Sequence, residues 1–133
     1  MNRYMLDTNT VSHFIKAHPA VTQHILAVPM ASLCISAITE GELLFGLAKR
    51  PDAKRLATAV QEFLRRVEVL PWDSATATHY GARRADMEAR GKILAPLDLL
   101  IATHALAVNA VLVTNDGAFN HVNHLRIEDW TRQ

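Results

Sequence analysis

The stretch Tyr4–Thr10, YMLDTNT, passes from a short apolar run directly into an aspartate and three small polar residues. An apolar run without polar alternation predicts a strand buried on both faces, which is typical of a parallel sheet in an α/β fold. Asp7 would then stand at the carboxyl end of this strand, where open α/β sheets bind their ligands. The alternative is a helix N-cap, because Asp7 and the polar residues after it can accept the free amides of a helix that begins there.

The composition limits the classes of protein to which the chain can belong. It has 133 residues, half of them hydrophobic but only 6% aromatic, and a formal net charge of +1. The length predicts one domain over residues 1–133, and the small net charge excludes nucleic-acid binding by bulk positive charge while leaving room for a local basic patch. The single cysteine, Cys34, excludes an internal disulfide and a cysteine zinc cluster, and its apolar neighbours favour burial. Without a signal peptide or an apolar run of about 18 residues, we expect a cytoplasmic protein.

Short apolar runs alternate with longer amphipathic stretches along the chain. The predicted strands are Arg3–Leu6, Leu33–Ser36, Val67–Leu70, Ala110–Thr114 and, with a weaker pattern, Leu125–Ile127. The predicted helices are Thr10–Lys16, Val21–Val28, Ile38–Lys49, Ala53–Arg66, Ser74–Arg90 and Leu97–Val108. Strands that alternate with helices require right-handed crossovers. We therefore predict an α/β fold, a three-layer α/β/α sandwich with a mainly parallel sheet of four to five strands.

Glu42 lies in CISAITEGELLFG, where a predicted strand passes into a helix. Helical periodicity places it on one face with Ile38 and Phe45, and a carboxylate among apolar side chains is costly unless something pairs with it. Thr39 and Glu42 also have the spacing of a capping box, if the helix begins late. The sequence leaves both interpretations open.

Asp98 follows Pro96 in the first turn of a predicted helix, where the helix dipole favours an acid. The same helical face continues with apolar residues, so Asp98 is expected to head a buried stripe. The residues of this stripe are Ile101, Ala102 and Ala105.

Asp116 follows the strand Ala110–Thr114, as Asp7 follows the first strand. The alternative is a turn, because Asn115, Asp116 and Gly117 form a strong turn sequence. On either interpretation, Gly117 is expected to let the backbone turn sharply.

All four acids lie where strands end or helices begin, which is the rim on which a parallel sheet builds its site. Four carboxylates there would repel one another unless a cation neutralised them. Oxygen ligands without cysteine or a paired histidine motif suit Mg²⁺ or Mn²⁺ better than zinc. The nearest histidine pair, His121 and His124, lacks a zinc-protease motif and is predicted to lie on the surface.

Four motifs in the order MLDTNT, ISAITEGELLFG, PLDLLIATHAL and VLVTND, followed by LRIEDW, resemble the PIN-domain ribonucleases, specifically the VapC toxins of bacterial toxin–antitoxin pairs. The resemblance covers nearly the whole chain. It implies the α/β/α fold, endonucleolytic RNA cleavage that depends on Mg²⁺ or Mn²⁺, and inhibition by a VapB-type antitoxin. Carried over by position, it implies catalytic and metal-binding roles for Asp7, Glu42, Asp98 and Asp116, with Thr8, Asn9 and Thr114 as supporting polar groups.

The sequence is most similar to the enteric VapC branch, and this resemblance implies cleavage of initiator tRNA in the anticodon stem-loop. That branch usually has TNN and then a glutamate beside a phenylalanine, whereas this chain has TNDGAFNHV, with Asn120 after Phe119. The fourth acid is therefore Asp116 or absent. The implied mechanism is metal-assisted hydrolysis of a phosphodiester, in which Glu42 either binds metal or orients the attacking water.

Two surface features bear on partners. Basic residues that could hold an RNA backbone are Arg65, Arg66, Arg83, Arg84, Arg90 and Lys92. Interspersed acids favour solvated helix faces for most of them, and Lys92 is the one we favour for RNA. The segments VTQHILAV and Leu43–Leu47 are apolar on more than one face, which predicts either core or an interface, with a second protomer in a homodimer or with an antitoxin helix in a hetero-oligomer.

Two other functions compete with a nuclease. An aspartate after the first strand also opens the Asp-x-Asp motif of haloacid-dehalogenase-like phosphatases, but the third position here is Asn9. A non-catalytic PIN-like module that binds RNA or protein is the second alternative. The presence of Asp7, Glu42 and Asp98 argues against it.

Overall fold

The structure, a computed structural model, describes residues 2–132. Within these residues the strands are β1 (Tyr4–Leu6), β2 (Leu33–Ser36), β3 (Glu68–Leu70), β4 (Val111–Val113) and β5 (Ile127–Glu128). The α-helices are α1 (Thr8–Ile15), α2 (Pro19–Leu26), α3 (Ala37–Ala48), α4 (Lys54–Arg66), α5 (Ser74–Ala89) and α6 (Pro96–Ala107). Short 3₁₀ helices occupy Met30–Ser32 and Gly117–His121.

The strands form one parallel sheet in the order β3-β2-β1-β4-β5. Tyr4 of β1 lies beside Leu33 of β2 on one side and Val111 of β4 on the other. The chain builds the sheet outward from β1 to β3 and then crosses back to β4. The direction of the crossovers reverses between β1 and β4, and the carboxyl ends of strands at such a point are where sheets of this kind bind ligands.

Helices cover both faces of the sheet, because successive strand residues point to opposite layers. Met5 and Leu112 face a core that α5 and α6 complete. Leu6 and Val113 face a second core, to which α1, α2, α3 and α4 contribute. All four of these strand side chains are fully buried. The predicted three-layer α/β/α sandwich is confirmed, and its five strands are all parallel.

Every predicted strand and helix is present, with ends that agree with the predicted ones to within two residues. Helix α2 begins at Pro19, two residues before the predicted start, because proline fits the first turn of a helix. Cys34 is buried as predicted, and burial raises the pKa of its thiol to about 12. Among the helices of residues 2–132, none combines the length and the apolar content needed to cross a membrane.

Candidate active site

Asp7 ends β1 and also caps α1. Its backbone N–H donates to the carbonyl of Val113 at 3.1 Å, which ties it to β4. Its carboxylate accepts the N–H of Thr10 at 2.8 Å, although only 4% of the residue is exposed. Burial raises the pKa of Asp7 and the charge of Asp116 adds to the rise, while hydrogen bonds from Thr114 and Thr10 oppose it. Asp7 is therefore both a helix cap and a buried carboxylate at the carboxyl edge of the sheet.

Glu42 is half-buried on α3 and bonded to α1. The hydroxyl of Thr8 donates to Glu42 Oε1 at 2.5 Å. The expected apolar face around Glu42 is only partly formed, since Ile38 packs against a core but Phe45 is 62% exposed. The helix instead turns Leu43 inward. Glu42 thus lies between the core and the carboxyl edge of the sheet, where the other three acids are found.

The capping-box interpretation of Thr39 and Glu42 is wrong. Helix α3 begins at Ala37, so Thr39 is already inside its first turn. The cap is Ser36, whose hydroxyl accepts the N–H of Ile38 at 3.1 Å. Glu42 is therefore free of any capping role at this helix.

Asp98 lies half-buried in the first turn of α6, after Pro96. Burial is the largest cause that raises its pKa, and the charges of Asp116, Glu42 and Asp7 follow in that order. All three other acids thus act on one carboxyl group. The stripe below Asp98 is buried as predicted and comprises Ile101, Ala102 and Ala105.

Asp116 is exposed and begins a short 3₁₀ helix after β4. Its carboxylate accepts the N–H of Ala118 at 2.9 Å, and its own N–H donates to Thr114 Oγ1 at 3.1 Å. The chain turns at Gly117 as predicted, but its φ is not positive and an added Cβ would meet only the Asn120 side chain, at 3.9 Å, so the turn does not depend on glycine. Asp116 therefore acts in the turn and also lies within electrostatic range of Asp7 and Asp98.

The four acids interact electrostatically, and all the ligand atoms that they could offer a metal ion are oxygens. As the side chains lie within residues 2–132, no three Asp, Glu, His or Cys groups are close enough to hold one metal ion. The carboxylates of Glu42 and Asp116 instead each accept a hydrogen bond from another residue of the chain. A cation would relieve the repulsion that adds to the effect of burial on the pKa of Asp98, and hard oxygen ligands suit Mg²⁺ or Mn²⁺. The donor chemistry of the four acids therefore suits a divalent cation, although the side chains of residues 2–132 are not gathered around one ion.

Two buried polar residues beside the site were not singled out from the sequence. Ser36 ends β2 and His104 lies in α6, and their exposed fractions are 0% and 1%. His104 Nδ1 lies 2.7 Å from Ser36 Oγ. The one sequence signal was a histidine inside a largely apolar helix, and its partner is too far away in the chain to be predicted from a local pattern.

Most of the predicted basic residues are paired on the surface. The pairs are Arg65 and Arg66 with Glu62, Arg84 with Glu88, and Arg90 with Asp86. Lys92 is exposed beside Ile93, which is itself 86% exposed. His121 and His124 are exposed, as predicted. The solvated-face interpretation therefore accounts for most of the arginines.

Known proteins resemble this chain both in sequence and in fold. A family model described as PIN domain matches residues 4–125. The tRNA(fMet)-specific endonuclease VapC of Shigella flexneri is 36% identical over 132 residues, which cover 98% of this chain and 100% of that protein. The protein of the same name from Salmonella typhimurium is 37% identical over 131 residues, which cover 98% and 99%. Among solved structures, DNA-bound VapBC from Salmonella typhimurium matches with a TM-score of 0.89 and 38% identity, over 98% of this chain and 99% of that chain.

Proposed function

The chain belongs to the PIN-domain family, and we propose from this premise that residues 1–133 form one endoribonuclease domain, the VapC toxin of a toxin–antitoxin pair. Its reaction is hydrolysis of RNA phosphodiester bonds with Mg²⁺ or Mn²⁺. Its substrate is initiator tRNA, the RNA named for the two VapC relatives, cut in the anticodon stem-loop. The reaction takes place in the cytoplasm.

One observation carries the proposal: burial raises the pKa of Asp98, and the charges of the three other acids raise it further, so all four acids act on one another at the carboxyl edge of the sheet. Carboxylates brought together without a cation destabilise the fold, so the arrangement is explained by a ligand that it binds. The edge between β1 and β4 is also where a doubly wound sheet opens a crevice. Both arguments support a cation site at the same place.

The residues that would hold the cation are Asp7, Asp98 and Asp116, with Glu42 either as a further ligand or as the group that orients water. When bound, the cation polarises the phosphate and lowers the pKa of a water molecule. Thr8 holds Glu42 in place, and the Thr114 hydroxyl connects Asp7 with the backbone of Asp116. These hydroxyls limit how far the carboxylates move when the site is filled.

The antitoxin is proposed to block the same carboxylates with an arginine or lysine from its C-terminal segment. A cationic side chain pairs well with several carboxylates and competes with Mg²⁺. A groove leads from Glu42 between α1, α3 and α4 over an apolar floor that includes Leu43 and Leu47. Leu44 and Phe45, 48% and 62% exposed, add apolar surface for a partner or a second protomer. If the inhibited complex still bound Mn²⁺ and substrate at the site, this part of the proposal would be wrong.

The test is cleavage of initiator tRNA by purified protein, with Mg²⁺ or Mn²⁺ and with EDTA. Asp98→Asn keeps the volume and removes the charge, so we expect cleavage to be lost while the protein stays folded. Glu40→Gln is the matched control, because Glu40 is also a first-turn acid but lies on α3 outside the cluster. Retained cleavage in Asp98→Asn would overturn the assignment. RNA binding without cleavage by the wild type would favour the non-catalytic module instead.

A further inference from the structure

Ser36 and His104 form a buried hydrogen bond that the reaction scheme above does not use. The imidazole is 1% exposed, and burial lowers its pKa, so the ring is neutral. Ser36 Oγ already accepts the N–H of Ile38, which leaves its proton free to be donated to His104 Nδ1 at 2.7 Å. Nε2 has no hydrogen-bond partner of good geometry within residues 2–132, although the backbone of Pro71 opposes the fall in the pKa of the ring. The hydrogen bond between Nδ1 and Ser36 is therefore the polar contact of the ring whose geometry is defined.

This bond joins the two helices that carry Glu42 and Asp98. Ser36 caps α3, and Glu42 follows it by six residues on the same helix. His104 follows Asp98 by six residues on α6. Six helical residues span about 9 Å, so each end of the bond is less than two turns from one of these acids. Glu42 and Asp98 lie on two different helices, so the pairing of strands in the sheet does not itself fix their relative positions.

We propose that Ser36 and His104 are positioning residues, whose hydrogen bond sets the placement of Glu42 relative to Asp98 and thereby the affinity of the site for a divalent cation. The inference rests on the proposed metal-dependent function. Breaking a bond between fully buried polar groups leaves one of them unsatisfied, so the pair strongly favours a single arrangement of α3 against α6. The hydrophobic effect favours burial without regard to direction, whereas this hydrogen bond has a defined length and geometry.

Two substitutions of His104 separate the hydrogen bond from the packing. The amide of Asn lies where Nδ1 lies in histidine, so His104→Asn keeps a partner for Ser36 but leaves part of the ring volume empty. His104→Phe fills the volume and has no partner for Ser36. Ile101→Val is the matched control, since Ile101 lies on the same helix, is 1% exposed and makes no contact of this kind. Should His104→Phe fail to fold, Ser36→Gly removes the same bond from the other side, because glycine is nearly as good an N-cap as serine.

The measurements are the dissociation constant for Mn²⁺, by electron paramagnetic resonance of the free ion, and kcat and KM for RNA cleavage. They are made at a temperature where circular dichroism shows all variants to be folded. We expect His104→Phe to bind Mn²⁺ about tenfold more weakly, the low end for groups that support metal ligands, and to lower kcat with KM unchanged. His104→Asn and Ile101→Val should bind Mn²⁺ as the wild type does, whatever their melting temperatures.

Three results would overturn the inference: wild-type Mn²⁺ affinity in His104→Phe, a loss in His104→Asn as large as in His104→Phe, or an equal loss in Ile101→Val. Each result would mean that the affinity for Mn²⁺ depends on packing around the ring, or that it does not depend on Ser36 and His104. Failure of the proposed function is a distinct result, because the wild type itself would then neither bind Mn²⁺ nor cleave RNA.

Discussion

Two replacements of Asp7 separate its role as a helix cap from its role in the acidic cluster. Asp7→Asn keeps an oxygen that can accept the N–H of Thr10, because Asn and Asp are equally good N-caps. Asp7→Ala loses this bond, which costs about 1 kcal/mol. For 133 residues the unfolding entropy is roughly 0.28 kcal/mol/K, so Asp7→Ala should melt about 4 °C below Asp7→Asn.

The comparison with the wild type depends on pH. Burial raises the pKa of Asp7 in the folded protein above its unfolded value of about 3.9. Such an acid does not reduce stability below the unfolded pKa, begins to reduce it as the pH rises past that value, and reduces it fully above the folded pKa. Without divalent cations, Asp7→Asn should therefore be more stable than the wild type at pH 7. The difference should shrink as the pH falls through the raised pKa towards about 4.

The assay is thermal unfolding followed by circular dichroism from pH 4 to 8 in EDTA, repeated with Mn²⁺. Added Mn²⁺ should raise the melting temperature of the wild type more than that of Asp7→Asn, because only the folded site binds the ion and the variant has lost a charge from it. RNA cleavage should be lost in both variants. An Asp7→Asn protein that melts below the wild type at pH 7 in EDTA, or a difference that does not change with pH, would refute the reasoning.

Two further predictions concern the groups around the cluster. Thr8→Val removes the hydroxyl that donates to Glu42, so its melting temperature should fall by about 4 °C, equivalent to about 1 kcal/mol. Thr8→Ser keeps the hydroxyl and should melt like the wild type. Equal losses in both variants would show that the methyl group, and not the hydroxyl, stabilises the fold. Asp116→Asn keeps the cap of the 3₁₀ helix, so its melting temperature in EDTA should not fall, but Mn²⁺ titration should show binding weakened at least about tenfold and cleavage partly restored by added Mn²⁺. Asn120→Ala should change cleavage much less, and full activity of Asp116→Asn at low metal concentration would reduce the site to three acids.

The architecture followed from the sequence to within one or two residues at each element end. Uninterrupted apolar runs predict strands of a covered parallel sheet, and this pattern is local to each run. Parallel strands joined by helices place all carboxyl ends at one edge, so acids after strands or at helix starts were expected to meet there. The pKa of Asp98, which burial raises and the charges of the three other acids raise further, is consistent with that meeting. Their roles in binding a metal stay predictions.

Local patterns failed where two interpretations differed only by the rotation or start of an element. Thr39 and Glu42 have capping-box spacing, but Ser36 begins the helix earlier and takes the cap. Phe45 was placed on one apolar face with Ile38 and Glu42, but it is 62% exposed, because α3 turns Leu43 to the core. A hydrophobic pattern with apolar residues on several faces does not specify which face packs.

The sequence by itself determined the α/β/α fold, the positions of its strands and the edge at which the four acids gather, because each depends on periodicity within a few residues or on the chirality of crossovers. Only the tertiary structure decided which polar side chains pair with one another in and near this edge. Thr8 and Glu42 are separated by 34 positions in the chain, and Ser36 and His104 by 68. A hydrogen bond over such a separation depends on how helices pack against one another, and packing leaves no periodic trace in the residues between them.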